Sequence, residues 1–143
     1  MTFLNTANRC ACAKLRRTMQ AVAQYYDQHL QPSGLRTTQF TMLITISLNE
    51  GISISDLGDK ICKDQTTITR NVEILKRNGY IRIAKKESDA RKKTISLTEE
   101  GKKKLAEVMP LWEKAQTHIE EELGVERLGD FFKTLKVLDQ IVK

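Results

Sequence analysis

The sequence predicts a mainly α-helical chain with a small antiparallel β-wing: a winged helix-turn-helix between N- and C-terminal dimerisation helices. Three features carry that prediction. Two short apolar stripes stand at helical spacing, Leu57 with Ile61 and Ile68 with Val72 and Leu75. Period-two alternation flanks a polar turn, Ile81-Arg82-Ile83 before it and Thr94-Ile95-Ser96-Leu97 after it. Long helical stripes lie at both ends, and a module of this size has no surface to cover them.

The elements follow in order. Leu15, Met19, Val22, Tyr26 and Leu30 are spaced four, three, four and four, which predicts one long helix within 6–31, ending before Pro32-Ser33-Gly34. Phe40, Leu43, Ile44 and Leu48 repeat the pattern over 38–49, stopped by Asn49-Glu50-Gly51. Ile54-Ser55-Asp56-Leu57 opens a short helix, with Gly58 where the helices of such a motif cross closely. Asp64 caps the next helix by accepting from its first-turn amides, and Asn78-Gly79 ends it with residues that tolerate a left-handed backbone. The run Lys85 to Lys93 is too polar to bury and forms the hairpin tip.

From Thr98 a helix runs to about Leu123, with Leu105, Val108, Trp112, Ala115 and Ile119 on one side. Pro110 removes one of its backbone bonds and crowds the preceding turn, so a kink is expected there. After Gly124, Leu128, Phe131, Leu135, Leu138 and Val142 alternate spacings of three and four, a seam that packs against another helix. A second copy of the chain is the simplest partner for these end helices. No internal repeat or long linker divides the 143 residues, which are one domain's worth.

Charge points to the partner. The net charge is +6, yet residues 60–104 alone carry 14 Lys/Arg against six Asp/Glu. Residues 1–59 net +1 and residues 105–143 net −3, so the positive charge sits on the module that would meet phosphate. The first turns after Asp64 present Gln65, Thr66, Thr67, Thr69 and Arg70. Gln pairs with adenine, Arg with guanine, and Thr offers a hydroxyl and a methyl to a major groove. Arg91 at the wing suits a minor groove, where negative potential is concentrated. Lys92 and Lys93 follow it.

Other classes fit less well. No apolar run approaches membrane-spanning length, and the start Met-Thr-Phe-Leu-Asn lacks a signal-peptide pattern, so a cytoplasmic location is expected. A basic membrane-surface helix needs a broad apolar face, which the wing segment lacks. There is no nucleophile–base motif, phosphate-cradling glycine loop or paired catalytic carboxylate, which argues against an enzyme, and no cofactor is implied. Three cysteines in such a chain argue against a disulfide framework. Cys10 and Cys12 on one helix would point to opposite sides, neither bridging nor chelating, and His29 and His118 stand far from them in sequence, so no metal site is expected. A non-specific architectural DNA-binding protein would share the basic wing without needing the Thr66–Arg70 face. A protein-interaction winged helix would lack the net basic face.

The order Asp64-x-Thr66-Thr67-Ile68-Thr69-Arg70, Asn78-Gly79-Tyr80-Ile81, Ser88-Asp89-Ala90-Arg91-Lys92-Lys93 and Leu97-Thr98-Glu99-Glu100-Gly101 resembles the MarR family of bacterial and archaeal transcriptional regulators. The similarity covers nearly the whole chain. Asp89-x-Arg91 leading to Leu97-Thr98-x-x-Gly101 is its most specific part. The resemblance implies a single domain, 1–143, with dimerisation helices in 1–34 and 105–143 and a DNA-binding winged module in 35–104. It implies a homodimeric repressor of double-stranded DNA whose first and last helices intertwine. Its twofold would place two reading helices roughly 34 Å apart on a pseudo-palindromic operator. Asp89 would hold Arg91 in position. Two positions depart from the pattern, Cys62 where Gly is common and Lys63 where an apolar residue is usual.

The resemblance also implies an input signal. One common input is a small aromatic acid bound where the dimerisation helices meet the winged module, and Tyr25, Tyr26, His29, Arg36 and Phe40 lie in those segments. Read individually, the same aromatics are core and Arg36 a surface charge. Another branch senses organic hydroperoxides through a cysteine early in the first helix. Cys12 occupies that place and Tyr26 matches one tyrosine that bonds the thiol, but the second tyrosine falls at Thr37 and another aromatic at Arg16. Arg16 or Arg17 would instead favour the thiolate. The plainer reading is that free cysteines pack as small apolar residues.

Overall fold

The protein was described from a computed structural model covering residues 2–61 and 64–143. Cys62 and Lys63, where the sequence departs from the family pattern, lie outside the described residues. The described residues form seven α-helices and three strands: α1 Phe3–Arg9, α2 Ala11–Leu30, α3 Thr37–Leu48, β1 Ile52–Ser53, α4 Ile54–Ile61, α5 Gln65–Arg77, β2 Ile81–Lys86, β3 Asp89–Leu97, α6 Glu99–Leu123 and α7 Val125–Ile141. The sheet is antiparallel in the order β1-β3-β2.

The core lies where α3, α4 and α5 meet the sheet and the first half of α6. Met42, Leu43, Ile46, Leu57, Ile68, Leu75, Ile95 and Val108 are fully buried there. Burying each such side chain stabilises the fold by about 1.5–3 kcal/mol before chain entropy is counted. The stripes that marked the short helices are thus the ones that pack. The wing strands keep their alternation, pairing Ile81 with Leu97 and Ile83 with Ile95.

Three local outcomes differ from the sequence reading. The first helix is two helices, because Cys10 takes an extended backbone (φ −74°, ψ 110°) and caps α2, its Sγ accepting from the Ala13 amide at 3.5 Å. Cys10 and Cys12 therefore do not share a helix. A third strand, β1, adds to the wing, because Gly51 donates its amide to the Ile95 carbonyl and carries Ile52 alongside β3. The α6 helix continues through Pro110 as one 25-residue element.

The end helices bury little. No residue of α1 or α7 is buried, and α2 buries only Leu30. Phe3 is 96% exposed and Phe131 46%. Among the described residues, no helix is long and apolar enough to cross a membrane.

Candidate nucleic-acid interface and neighbouring cleft

The α5 helix begins as the sequence predicts. The Asp64 carboxylate accepts from the Thr67 amide at 2.8 Å and from the Thr67 hydroxyl at 3.2 Å. That cap leaves Thr67 half-buried, while Gln65, Thr66, Thr69 and Arg70 are exposed on the same end of the helix. The far end closes with Gly79 at φ 80°, its amide donating to Lys76 and the Tyr80 amide to Leu75.

A part-buried polar bridge sets the helix against α3. Gln39 accepts the Arg36 amide at 3.1 Å and donates to Asn71 Oδ1 at 3.3 Å, and Asn71 donates to the Thr67 carbonyl at 2.9 Å. The bridge was missed from sequence; its only signal was a glutamine beside the apolar stripe of α3. With this bridge in place, every buried side-chain polar atom among the described residues has a hydrogen-bond partner.

The wing stands beside this helix. Asp89 Oδ1 accepts the Arg91 amide at 3.0 Å and lies 3.6 Å from Arg91 Nε. Arg91 is otherwise 95% exposed. At this exposure the ion pair adds little stability. Between wing and helix runs a groove of about 530 Å³ lined in part by Ser55, Gln65, Lys86, Arg91, Lys92 and Lys93. Gln65, Arg91, Lys92 and Lys93, four of the nine residues singled out for DNA contact, thus share one open surface, whose one acidic lining residue is Asp56, while Thr66, Thr67, Thr69, Arg70 and Asp89 do not line it.

A second cavity, about 350 Å³, opens between α2, α3 and α6, lined by Tyr26, Thr37, Phe40, Thr41, Ile44, Met109 and Trp112. Of the five residues expected in an effector cleft, Tyr26 and Phe40 line it. Tyr25 instead donates its hydroxyl to the Ala115 carbonyl at 2.9 Å and packs on His29, with ring centroids 4.6 Å apart. His29 Nδ1 lies 3.0 Å from the Tyr25 carbonyl. Arg36 points to solvent and pairs with Asp27 at 3.5 Å. Thr37, Thr41 and Ile44 also line it without having been named for it, and Met109 and Trp112 were missed because residues more than 80 positions from Tyr26 become its neighbours only when α6 packs on α2.

Tyr26 donates to Gln116 Oε1 at 2.5 Å. Burial, reinforced by neighbouring Tyr25 and Glu120, pushes its phenol up from the ordinary tyrosine range. Cys12 is exposed, and Arg16 Nη2 approaches its Sγ at 3.7 Å. Cys12 and Tyr26 are 14 residues apart on one helix, roughly 21 Å along its axis, so they do not meet within a chain. Among the described residues, no cluster of His, Cys, Asp and Glu has the geometry to hold a metal ion.

A profile of the MarR family matches residues 35–93. The transcriptional regulator MosR of M. tuberculosis, whose crystal structure was solved in complex with DNA, is 35% identical and superimposes with a TM-score of 0.79, covering 94% of this chain and 99% of MosR. The chain belongs to the MarR family. Among curated relatives, the HTH-type transcriptional regulator BilQ of Clostridioides difficile is 26% identical over 117 residues, 82% of this chain and 79% of BilQ. SarZ of Staphylococcus haemolyticus is 31% identical over 90 residues, 63% of this chain and 61% of SarZ, so that match spans less than two thirds of its length. The MarR profile begins at Leu35, one residue before the turn into α3, and ends within β3. It therefore takes in the whole of α5 and the wing tip.

Proposed function

We propose that this MarR-family chain is a homodimeric, sequence-specific regulator of transcription that binds a pseudo-palindromic operator in double-stranded DNA as a cytoplasmic repressor, and not an enzyme. Residues 35–104 form the DNA-binding module, and 1–34 with 105–143 the dimerisation helices, within a single domain. Gln65, Thr66, Thr69 and Arg70 read the major groove, with Thr67 shaping the turn. Arg91, oriented by Asp89, enters the minor groove, and Lys92 and Lys93 neutralise phosphates. The observation that carries this reading is the shared surface of an exposed polar helix end and an exposed wing arginine on the most basic third of the chain. Nuclease footprinting across the chain's own promoter region tests it. Two protected half-sites roughly 34 Å apart, centre to centre, are expected. Uniform protection without a preferred site would instead indicate the architectural DNA-binding alternative.

Release of the DNA is assigned to a small aromatic ligand held between Tyr26 and Trp112. A second reading, oxidation at Cys12, is favoured by its exposure and by the Arg16 contact. Peroxide would convert the Cys12 thiol to sulfenic acid, reducing one peroxide O–O bond to an alcohol. With Tyr26 out of reach in the same chain, only Tyr26 of a second copy would meet it. Cys12→Ser should keep operator affinity and lose any response to organic hydroperoxide. Unchanged operator affinity of the wild-type protein after such treatment rules the redox reading out.

A further inference from the structure

Three hydrogen bonds run in one direction from the start of α3 to α5. The Arg36 amide only donates, so it turns Gln39 Oε1 toward itself, at 3.1 Å, and the Gln39 NH₂ toward Asn71, at 3.3 Å. The Thr67 carbonyl only accepts, so it takes the Asn71 NH₂ at 2.9 Å and leaves Asn71 Oδ1 for Gln39. A backbone group at each end thus fixes both side-chain amides, and the middle bond forms in one orientation alone. Gln39 is 7% exposed and does not itself reach the surface that would meet DNA.

Both ends of this chain of bonds are held. On the α2 side, Asp27 Oδ1 accepts the amide and the hydroxyl of Thr37, each at 2.7 Å, and Oδ2 pairs with Arg36 at 3.5 Å. On the α5 side, the Asp64 carboxylate holds the amide and hydroxyl of Thr67, whose carbonyl Asn71 holds. The stripe of Ile68, Val72 and Leu75 secures α5 to the core, but apolar burial is non-directional. Hydrogen bonds weaken steeply with angle, so the bridge adds a directional constraint. We propose that Gln39 and Asn71 are positioning residues that set the rotation of α5 on the α2–α3 corner, and with it the aim of Thr66, Thr69 and Arg70. The inference rests on the reading of α5 as the helix that enters the major groove. Preference for a sequence then depends on the pair, while attraction to phosphate does not.

The full chain and the variants Gln39→Met, Gln39→Glu and Asn71→Ala are titrated at one salt concentration with two duplexes. One is the promoter duplex protected in footprinting; the other has its length and base composition in shuffled order. Gln39→Met removes both bonds of Gln39 without adding charge, and Gln39→Glu keeps the acceptor for Arg36 but loses the donor to Asn71. Each variant should bind the promoter duplex about tenfold more weakly, the worth of one well-made hydrogen bond, and the shuffled duplex within about twofold of wild type. Gln39→Met combined with Asn71→Ala should lose no more than either alone, where independent effects would multiply to about a hundredfold. A Gln39 variant that keeps the promoter preference, or weakens both duplexes equally, would overturn the positioning role. So would a multiplicative loss in the double variant, since Asn71 would then act on DNA by itself. Should one Gln39 variant fail to fold, the other decides. If neither melts cooperatively, the bridge holds the fold and not the reading surface, and the proposal is overturned. A wild-type chain with no promoter preference removes the reading of α5, and this inference with it.

Discussion

Asp64, Asp89 and Tyr26 show how much a single side chain discloses before folding. Asp64 sits directly before a helical stripe, and a carboxylate there has one obvious use, which the 2.8 Å bond from Thr67 confirms. The contact between Asp89 and Arg91 was implied by the family resemblance, and the Arg91 amide does donate to Asp89 Oδ1 at 3.0 Å. The setting of Arg36 was not legible. Its charge made it a plausible anion ligand, yet Asp27, nine positions earlier, captures it and leaves it in solvent. Tyr26 lines the α2–α3–α6 cavity, but its partner Gln116 lies 90 positions away and no local pattern announces it. The buried phenol yields a pH prediction. Its folded value is raised, so its contribution to stability is fully present below about pH 10, where the unfolded phenol also keeps its proton. It is lost as pH rises through the folded value. Denaturant midpoints of wild type and Tyr26→Phe should run parallel from pH 7 to 9 and converge or cross above about pH 10.

The junction of α5, β2 and α6 explains at the level of elements why two separated motifs occur together. The Thr98 hydroxyl donates to the Gly79 carbonyl at 2.5 Å and accepts the Gly101 amide at 3.0 Å, while the Thr98 amide donates to Tyr80. Asn78-Gly79-Tyr80 and Leu97-Thr98-x-x-Gly101 are two halves of one corner. A Cβ on Gly101 would stand 2.1 Å from the Tyr80 carbonyl oxygen, and that oxygen belongs to backbone already bonded on both sides. Gly101→Ala should therefore cost ~1–3 kcal/mol through overpacking, read as a lower thermal midpoint, and should misalign the wing. An unchanged midpoint would mean that the corner opens freely. Sequence periodicity found each of these helices but not the break at Cys10. Both α1 and α2 have helix-compatible residues across it, and the interruption is a matter of one backbone angle pair. The short β1 was missed for a similar reason, since two residues are too few to show alternation.

Viewed whole, the chain has a compact winged centre and end helices whose apolar sides face outward, and sequence spacing alone located both. Those stripes were legible because periodicity survives whether the covering surface comes from the same chain or from another. If two chains supply it, Leu135→Asp puts an unpaired charge into the apolar seam of α7. Sedimentation should then show dissociated or unfolded protein without specific DNA binding, whereas a wild-type monomer at micromolar concentration would contradict the dimer. The central claim, that the α5 end reads sequence while the wing lysines anchor, is tested most directly by comparing Arg70→Ala with Lys92→Ala on cognate and random duplexes across a salt series. Arg70→Ala should cost ~1–3 kcal/mol on the cognate site and little on random DNA. Lys92→Ala should weaken both duplexes alike and flatten the salt slope by about one phosphate. Equal losses for Arg70→Ala on both duplexes would contradict the claim.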